Sequence, residues 1–283
     1  MSYEQPTTLA AAVQLRRAHP DYLLLAGGTD VMVDLPHREP PVGVIDLQNI
    51  AELRGVTATA DEISIGAATT MAQLIANAEV RSHLPLLVDA AREVGALQIQ
   101  ERATIGGNIG TSSPVGDTLP ALLALNAELE LTSTAGSRRV SYAQFCTGYR
   151  KTQLAAEELV SALHIPYPTA GTRQYWRKVG TRQAQAISKV MIAAALRQDA
   201  DGRFVATRIA FGAVAECPMR LTTVEQLIDG ERASPELATA AAAEVARAIT
   251  PIDDVRSTAR YRLRVAQNLV QRLVESVEKE PHH

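Results

Sequence analysis

The sequence predicts an α+β protein of two units, and three observations predict it. Up to about residue 170, helix patterns alternate with short apolar runs that stop at glycine or proline. Beyond residue 174 the runs lengthen into strand-like segments, and two amphipathic helix patterns close the chain. At 283 residues and 46% hydrophobic content, the chain can bury a large core spread over two or three subdomains.

The elements follow in order. Thr7 and Thr8 offer an N-cap for a helix over residues 9–15, which Pro20 ends. Residues 22–25 read as a buried strand that runs straight into Ala26-Gly27-Gly28-Thr29-Asp30. Residues 42–46 and 63–66 read as further strands, Thr69-Thr70 as the cap of a helix to residue 75, and 85–94 as a longer helix. A second glycine segment, Thr104-Ile105-Gly106-Gly107-Asn108-Ile109-Gly110-Thr111, reads as a loop. It leads to Asp117 and Pro120, start signals for a helix over 119–125. Strands are expected at 128–133 and 159–165, and Pro166-Tyr167-Pro168 marks an end. In the second unit, strands at 174–179 and 190–196 precede a turn at Asp199-Ala200-Asp201-Gly202 and a strand at 204–214. Helices over 235–249 and 258–277 follow. The expected division is 1–170 and 171–283, with the first part split near 55–60.

Composition narrows the function. Twenty-eight basic and 31 acidic residues give a formal charge of −3, which is no nucleic-acid footprint. Arg16-Arg17 and Arg138-Arg139 read as solvated surface. No window approaches the roughly 18 apolar residues of a membrane span, and the first nineteen residues lack a signal-peptide core, so the chain reads as cytoplasmic. Cys146 and Cys217 have no partner at metal-ligand spacing and are expected as separate thiols in a reducing compartment. Any iron–sulfur cluster must then sit on another chain. His282-His283 are set aside as a tag remnant or native tail.

The chemistry concentrates in the two glycine segments. Adjacent glycines permit positive φ and close backbone approach, and successive N–H groups in such turns form an anion-binding nest. Two on one chain can grip a diphosphate from both sides. The common alternatives are missing: Gly-x-Gly-x-x-Gly, the P-loop, Gly-x-Ser-x-Gly and His-Glu-x-x-His do not occur. No general acid, base or nucleophile stands out, so no catalytic residue is assigned.

These segments, with Ile165-Pro166-Tyr167, Tyr175-Trp176-Arg177-Lys178-Val179-Gly180-Thr181-Arg182 and Ala186-Ile187-Ser188-Lys189-Val190, closely resemble the FAD-binding (medium) subunit of the molybdenum hydroxylases. That is the xanthine dehydrogenase and carbon monoxide dehydrogenase family. The resemblance implies a PCMH-type, vanillyl-alcohol-oxidase-like FAD-binding domain and a C-terminal domain of antiparallel sheet plus helices. It implies FAD on this chain, and iron–sulfur clusters and the molybdenum cofactor on partner subunits. Electrons would pass through the flavin to NAD or another acceptor, while an N-heterocycle or aldehyde is hydroxylated elsewhere in the complex. By the same resemblance Leu24, Leu25, Ala26, Gly27, Gly28, Thr29 and Asp30 form one pyrophosphate loop. Thr104, Ile105, Gly106, Gly107, Asn108 and Thr111 form the other, Asp117 lies near the adenosine hydroxyls, and Lys189 lies by the flavin. Two departures stand out. Gln183-Ala184-Gln185 replaces a stretch where many relatives carry an acid, and Thr29 stands where the carbon monoxide dehydrogenase branch typically has histidine. A self-contained flavin reductase or oxidase of the same fold, or a flavin-free scaffold, are the alternatives.

Overall fold

Three main sheets carry the chain in the computed structural model, which describes residues 1–37 and 39–278. The first has three parallel strands in the order Ser2–Glu4, Gly43–Asp46, Leu23–Leu25. Parallel neighbours need a crossover, and helix Leu9–Ala18 lies between the first two segments in sequence. The Thr8 hydroxyl accepts the Ala11 N–H at 3.2 Å to start that helix. Its Ala12 and Val13 pack on Ile45, Ile50 and Leu53. Gly43–Asp46 is buried at every position, as a central parallel strand is.

The second sheet is antiparallel, in the order Val56–Ala58, Glu62–Gly66, Leu159–Pro166, Glu128–Ser133, Gly136–Ser141. Ile63 and Ile65 alternate inward along Glu62–Gly66 and meet the helices Met71–Ala76, Pro85–Arg92, Ile105–Thr111 and Leu119–Ala124. The third sheet, Arg173–Val179, Val190–Gln198, Phe204–Gly212, Met219–Arg220, packs on helices Thr222–Ile228, Pro235–Ala248 and Ala259–Glu278. Helix Leu119–Ala124 is buried on all sides and joins the two halves. Ala193 and Ala210, from the third sheet, belong to the same core as this helix. A Cβ at Gly212 would come within 3.0 Å of Pro120, so a side chain there would push the halves apart. Among the described residues, no helix is long and apolar enough to cross a membrane.

Several expectations change. The second glycine segment is not a loop: it forms helix Ile105–Thr111. The Thr104 hydroxyl caps it by accepting the Gly107 N–H at 3.0 Å, and Ile105 and Ile109, one turn apart, anchor it in the core. The cysteines are not separate thiols: Cys146 and Cys217, 71 positions apart in sequence, form a disulfide with Cα atoms 6.3 Å apart. Helix Tyr142–Phe145 delivers Cys146 to the loop that carries Cys217, a proximity made by tertiary folding alone. The strand expected over 204–214 stops at Gly212. Ala213 turns to φ +64° and donates its N–H to Pro114 O at 2.9 Å. Helices Ala78–His83 and Thr222–Ile228 and strand Gly136–Ser141 were not expected. Of the basic pairs, Arg17, Arg138 and Arg139 are exposed, as expected. Arg138 and Arg139 bind Glu158 and Glu62 at 2.6 and 2.7 Å, and Arg16 is half-buried. His282-His283 lie outside the described residues.

Candidate functional site

The first glycine segment leaves strand Leu23–Leu25 at the edge of the parallel sheet. Leu47 N–H donates to Leu25 O at 2.8 Å and fixes the departure point. Gly27 then presses its backbone on Arg102 and Ala103, and a Cβ there would overlap the Arg102 carbonyl. Gly28 takes φ +74°, a conformation that side chains disfavour. Asp30 opens the short helix Val31–Asp34. Among the described residues, the N–H groups of Gly27, Gly28 and Thr29 donate to no acceptor, and the Thr29 hydroxyl makes no hydrogen bond.

The second segment uses its backbone differently. Ile105 N–H donates to Thr69 O at 3.0 Å, Gly106 N–H to Ala67 O at 2.8 Å, and Asn108 N–H to Thr104 O at 3.0 Å. Together with the Gly107 N–H on Thr104, these four donors are engaged within the protein. Asn108 Oδ1 accepts from the Thr118 hydroxyl at 2.6 Å. Its amide Nδ2 and the Thr111 hydroxyl are without partners among the described residues. The helix ends at Ser112, which adopts a left-handed φ of +46°.

The two segments face one cleft of about 820 Å³, within the ~300–1,000 Å³ typical of ligand sites. Leu24, Ala26, Gly27, Gly28, Thr29 and Asp30 line one wall; Thr104, Gly106, Gly107, Asn108 and Thr111 line the other. Leu25 and Ile105 do not reach it. Leu25 packs under Gly28, and Ile105 is fully buried in the core. Arg16 also lines the cleft. It donates Nη1 to Tyr22 O at 2.9 Å and keeps a buried Nε with no acceptor. Burial pulls its pKa below the usual arginine value, against the opposing effect of Asp21.

Ile99 and Val115 line this cleft and also a second cavity of about 570 Å³, so the two adjoin. Asp117 lies in the second cavity, with Gly95, Ala96 and Ile187. Its carboxylate accepts from Lys178 Nζ at 2.9 Å and from the Ser188 hydroxyl at 2.8 Å. Lys178 Nζ also donates to Glu93 O at 2.8 Å. Burial raises the Asp117 pKa, while Lys178 and Ser188 pull the other way. Lys189 lies in neither cavity wall; its Nζ stands over the Tyr261 ring, 5.2 Å from the centroid. The lysine that meets Asp117 is Lys178. Its signal in the sequence was alternation: Trp176, two residues earlier on the same strand face, packs on the first core. Among the described residues, no cluster of three or more His, Cys, Asp or Glu could hold a metal ion.

Comparison with known proteins covers almost the whole chain. Residues 1–168 match the family described as the FAD binding domain in molybdopterin dehydrogenase. Residues 175–277 match the CO dehydrogenase flavoprotein C-terminal domain. The xanthine dehydrogenase FAD-binding subunit of Escherichia coli O157:H7 is 34% identical over 276 residues, spanning 96% of this chain and 94% of that protein. The glyceraldehyde dehydrogenase medium chain of Sulfolobus acidocaldarius is 30% identical and covers 98% of each. A solved carbon monoxide dehydrogenase from Hydrogenophaga pseudoflava, which lacks the Mo-pyranopterin moiety of its cofactor, has a chain of the same fold. Its TM-score is 0.92 at 29% identity, over 96% of this chain and 95% of that one.

Proposed function

Because this chain belongs to the FAD-binding subunits of the molybdopterin dehydrogenases, we propose that it is the electron-transfer subunit of a multi-subunit molybdenum hydroxylase. It receives electrons from an iron–sulfur subunit and passes them to NAD or another acceptor. A molybdenum-cofactor subunit oxidises the substrate, an N-heterocycle or an aldehyde, and the complex works in the cytoplasm. FAD, when bound, supplies a centre able to accept electrons singly and release them in pairs.

The observation that carries this reading is the set of unpartnered N–H groups at Gly27, Gly28 and Thr29, facing a wall that holds the Asn108 amide and the Thr111 hydroxyl. Such a cradle suits a diphosphate: the donors are fixed before the ligand arrives, because Gly27, lacking a Cβ, lets the segment press on Arg102. Arg16 adds a positive charge to the lining of the same cleft. Leu24, Ala26, Asp30, Thr104, Gly106 and Gly107 shape the walls, and Leu25 and Ile105 hold those walls from behind. Asp117, steadied by Lys178 and Ser188, gives the adjoining cavity a polar side. Residues 1–170 are assigned to holding the dinucleotide. Residues 171–283 close the second cavity through Gln185, Ala186 and Ile187.

Purified protein should be yellow, with an oxidised-flavin absorption spectrum, and should release FAD on denaturation. Colourless protein that takes up no FAD when supplied with it would refute the assignment.

A further inference from the structure

Cys146 and Cys217 line neither cavity, yet they stand at the base of a segment that reaches the rim of the cleft. Strands Cys146–Gly148 and Lys151–Thr152 form a hairpin whose pairing is irregular between Cys146 and Gly148. At its tip Tyr149 is 60% exposed and Arg150 adopts φ +53°. A two-stranded hairpin this short has little stability of its own. Its attachments are few. At the base, Gln153 N–H donates to Phe145 O at 2.9 Å, Gln153 Nε2 donates to Gln144 O at 2.6 Å, Arg138 Nη2 donates to Gln153 O at 3.3 Å, and Cys146 is bonded to Cys217. At the tip, Arg150 Nη1 meets Asp34 Oδ2 at 3.4 Å.

Those attachments connect opposite sides of the cleft. Asp34 closes the short helix that follows the first glycine segment, and both Asp34 and Arg150 line the cleft. Cys217 sits in the loop after strand Phe204–Gly212, and the start of that loop is tied to Pro114, just past the second glycine segment, through Ala213 N–H. The tip pair is exposed, and exposed ion pairs are weak. The covalent bond at the base is therefore the strongest constraint on the strap.

We propose that Cys146 and Cys217 form a reversible dithiol–disulfide site. Its oxidised form holds the 146–152 hairpin across the rim of the cleft and slows cofactor loss. A small dithiol, or a thiol of the glutathione class, opens it. The cofactor part rests on the FAD reading above; the thiol site does not. In the opening reaction, a thiolate of the reductant attacks one sulfur, breaks the Cys146–Cys217 bond and forms a mixed disulfide. A second reductant thiol then displaces the remaining protein sulfur. Two electrons and two protons end on Cys146 and Cys217 as two S–H groups, and the reductant leaves as its own disulfide. Closing runs the same exchange backwards, with a small-molecule disulfide as oxidant. Both cysteines are half-buried rather than sealed, as exchange requires. Disulfides in reducing compartments are characteristically transient or sensing.

The test uses the full-length protein, equilibrated with glutathione disulfide or with dithiothreitol. Alkylation is read by mass spectrometry, trypsin cleavage after Arg150 and Lys151 by peptide mapping, and FAD release on dilution by flavin fluorescence. In the oxidised form both cysteines should resist alkylation. Cleavage at the hairpin and FAD release should each be slower by about tenfold, the scale on which lost cross-link constraint acts. Cys217→Ser in oxidising buffer should behave like the reduced wild type in both rates. Equal alkylation under the two conditions overturns the site, and so does a formed disulfide that leaves cleavage unchanged. A disulfide that protects the hairpin without slowing FAD release overturns the cofactor role. Disulfide-dependent protection in protein that binds no FAD upholds the site and refutes only the FAD reading.

Discussion

The two glycine segments look alike in sequence and do opposite jobs. At Gly27-Gly28 the chain leaves an edge strand, and three successive N–H groups, from Gly27 to Thr29, stay free of protein acceptors among the described residues. At Gly106-Gly107 the N–H groups are engaged by Ala67 and Thr104, and the missing side chains let a helix start against its neighbours. A Cβ at Gly106 would stand 2.6 Å from that of Ala67. One segment leaves its N–H groups open to the cleft and the other spends them on packing, with Asn108 and Thr111 as the polar groups that the packed wall offers. A glycine pair therefore has no single meaning: what its N–H groups already touch decides the role.

That contrast can be broken by substitution. Gly106→Val should overpack the wall at Ala67 and destabilise the flavin-free protein by about 1–3 kcal/mol in urea unfolding. An unchanged midpoint would remove the packing role. Asn108→Ala should weaken FAD binding by about 1–3 kcal/mol in a flavin titration, because it deletes a hydrogen-bonding amide from the cleft and strands the Thr118 hydroxyl. Gly28→Ala meets only ordinary contacts but must hold φ +74°, a strain of about 1–2 kcal/mol. Gly28 carries one of the unpaired N–H groups of the cleft, so the loss should show more in FAD affinity than in unfolding, the reverse of Gly106→Val. Equal effects on stability from both would erase the distinction. A pair whose side chains line neither cavity gives the smallest effect. Arg138, by hydrogen bonding, holds the Glu158 carboxyl below its usual pKa. The stabilisation this pair provides is present above the usual glutamate pKa and is lost as pH falls through the lowered one. Glu158→Gln should cost under about 1 kcal/mol near neutrality and progressively less below about pH 4.5, with FAD affinity unmoved.

Much of this architecture was legible because its signals are local. The apolar runs that became Leu23–Leu25, Gly43–Asp46 and Val190–Gln198 are bounded and wholly or partly buried, and Thr70 and Ser234 cap their helices through side chains visible in the sequence. Helix Ile105–Thr111 was masked by three glycines, although Thr104 and the Ile105/Ile109 pair one turn apart were there to read. Strand Gly136–Ser141 escaped because its first four residues are exposed and polar, leaving no alternation; only its pairing with Glu128–Ser133 makes it a strand. The Cys146–Cys217 bond and the ties of Asp117 to Lys178 and Ser188 join residues far apart in sequence, and no local pattern encodes such proximity. Adjacent glycines located both segments in the sequence, and the resemblance assigned them to a flavin pyrophosphate. It took the hydrogen-bond partners to separate their roles and to show Lys178 beside Asp117.

The account depends on the diphosphate, so the most direct measurement compares flavins that carry it with flavins that do not. Flavin-free protein should be titrated with FAD, FMN and riboflavin while flavin fluorescence is followed. Tight binding of FAD, with FMN and riboflavin each weaker by about a hundredfold or more, is the predicted result, since only FAD can engage Gly27, Gly28 and Thr29 through a diphosphate. Equal affinity for FAD and riboflavin would contradict it, because the ring alone would then carry the binding.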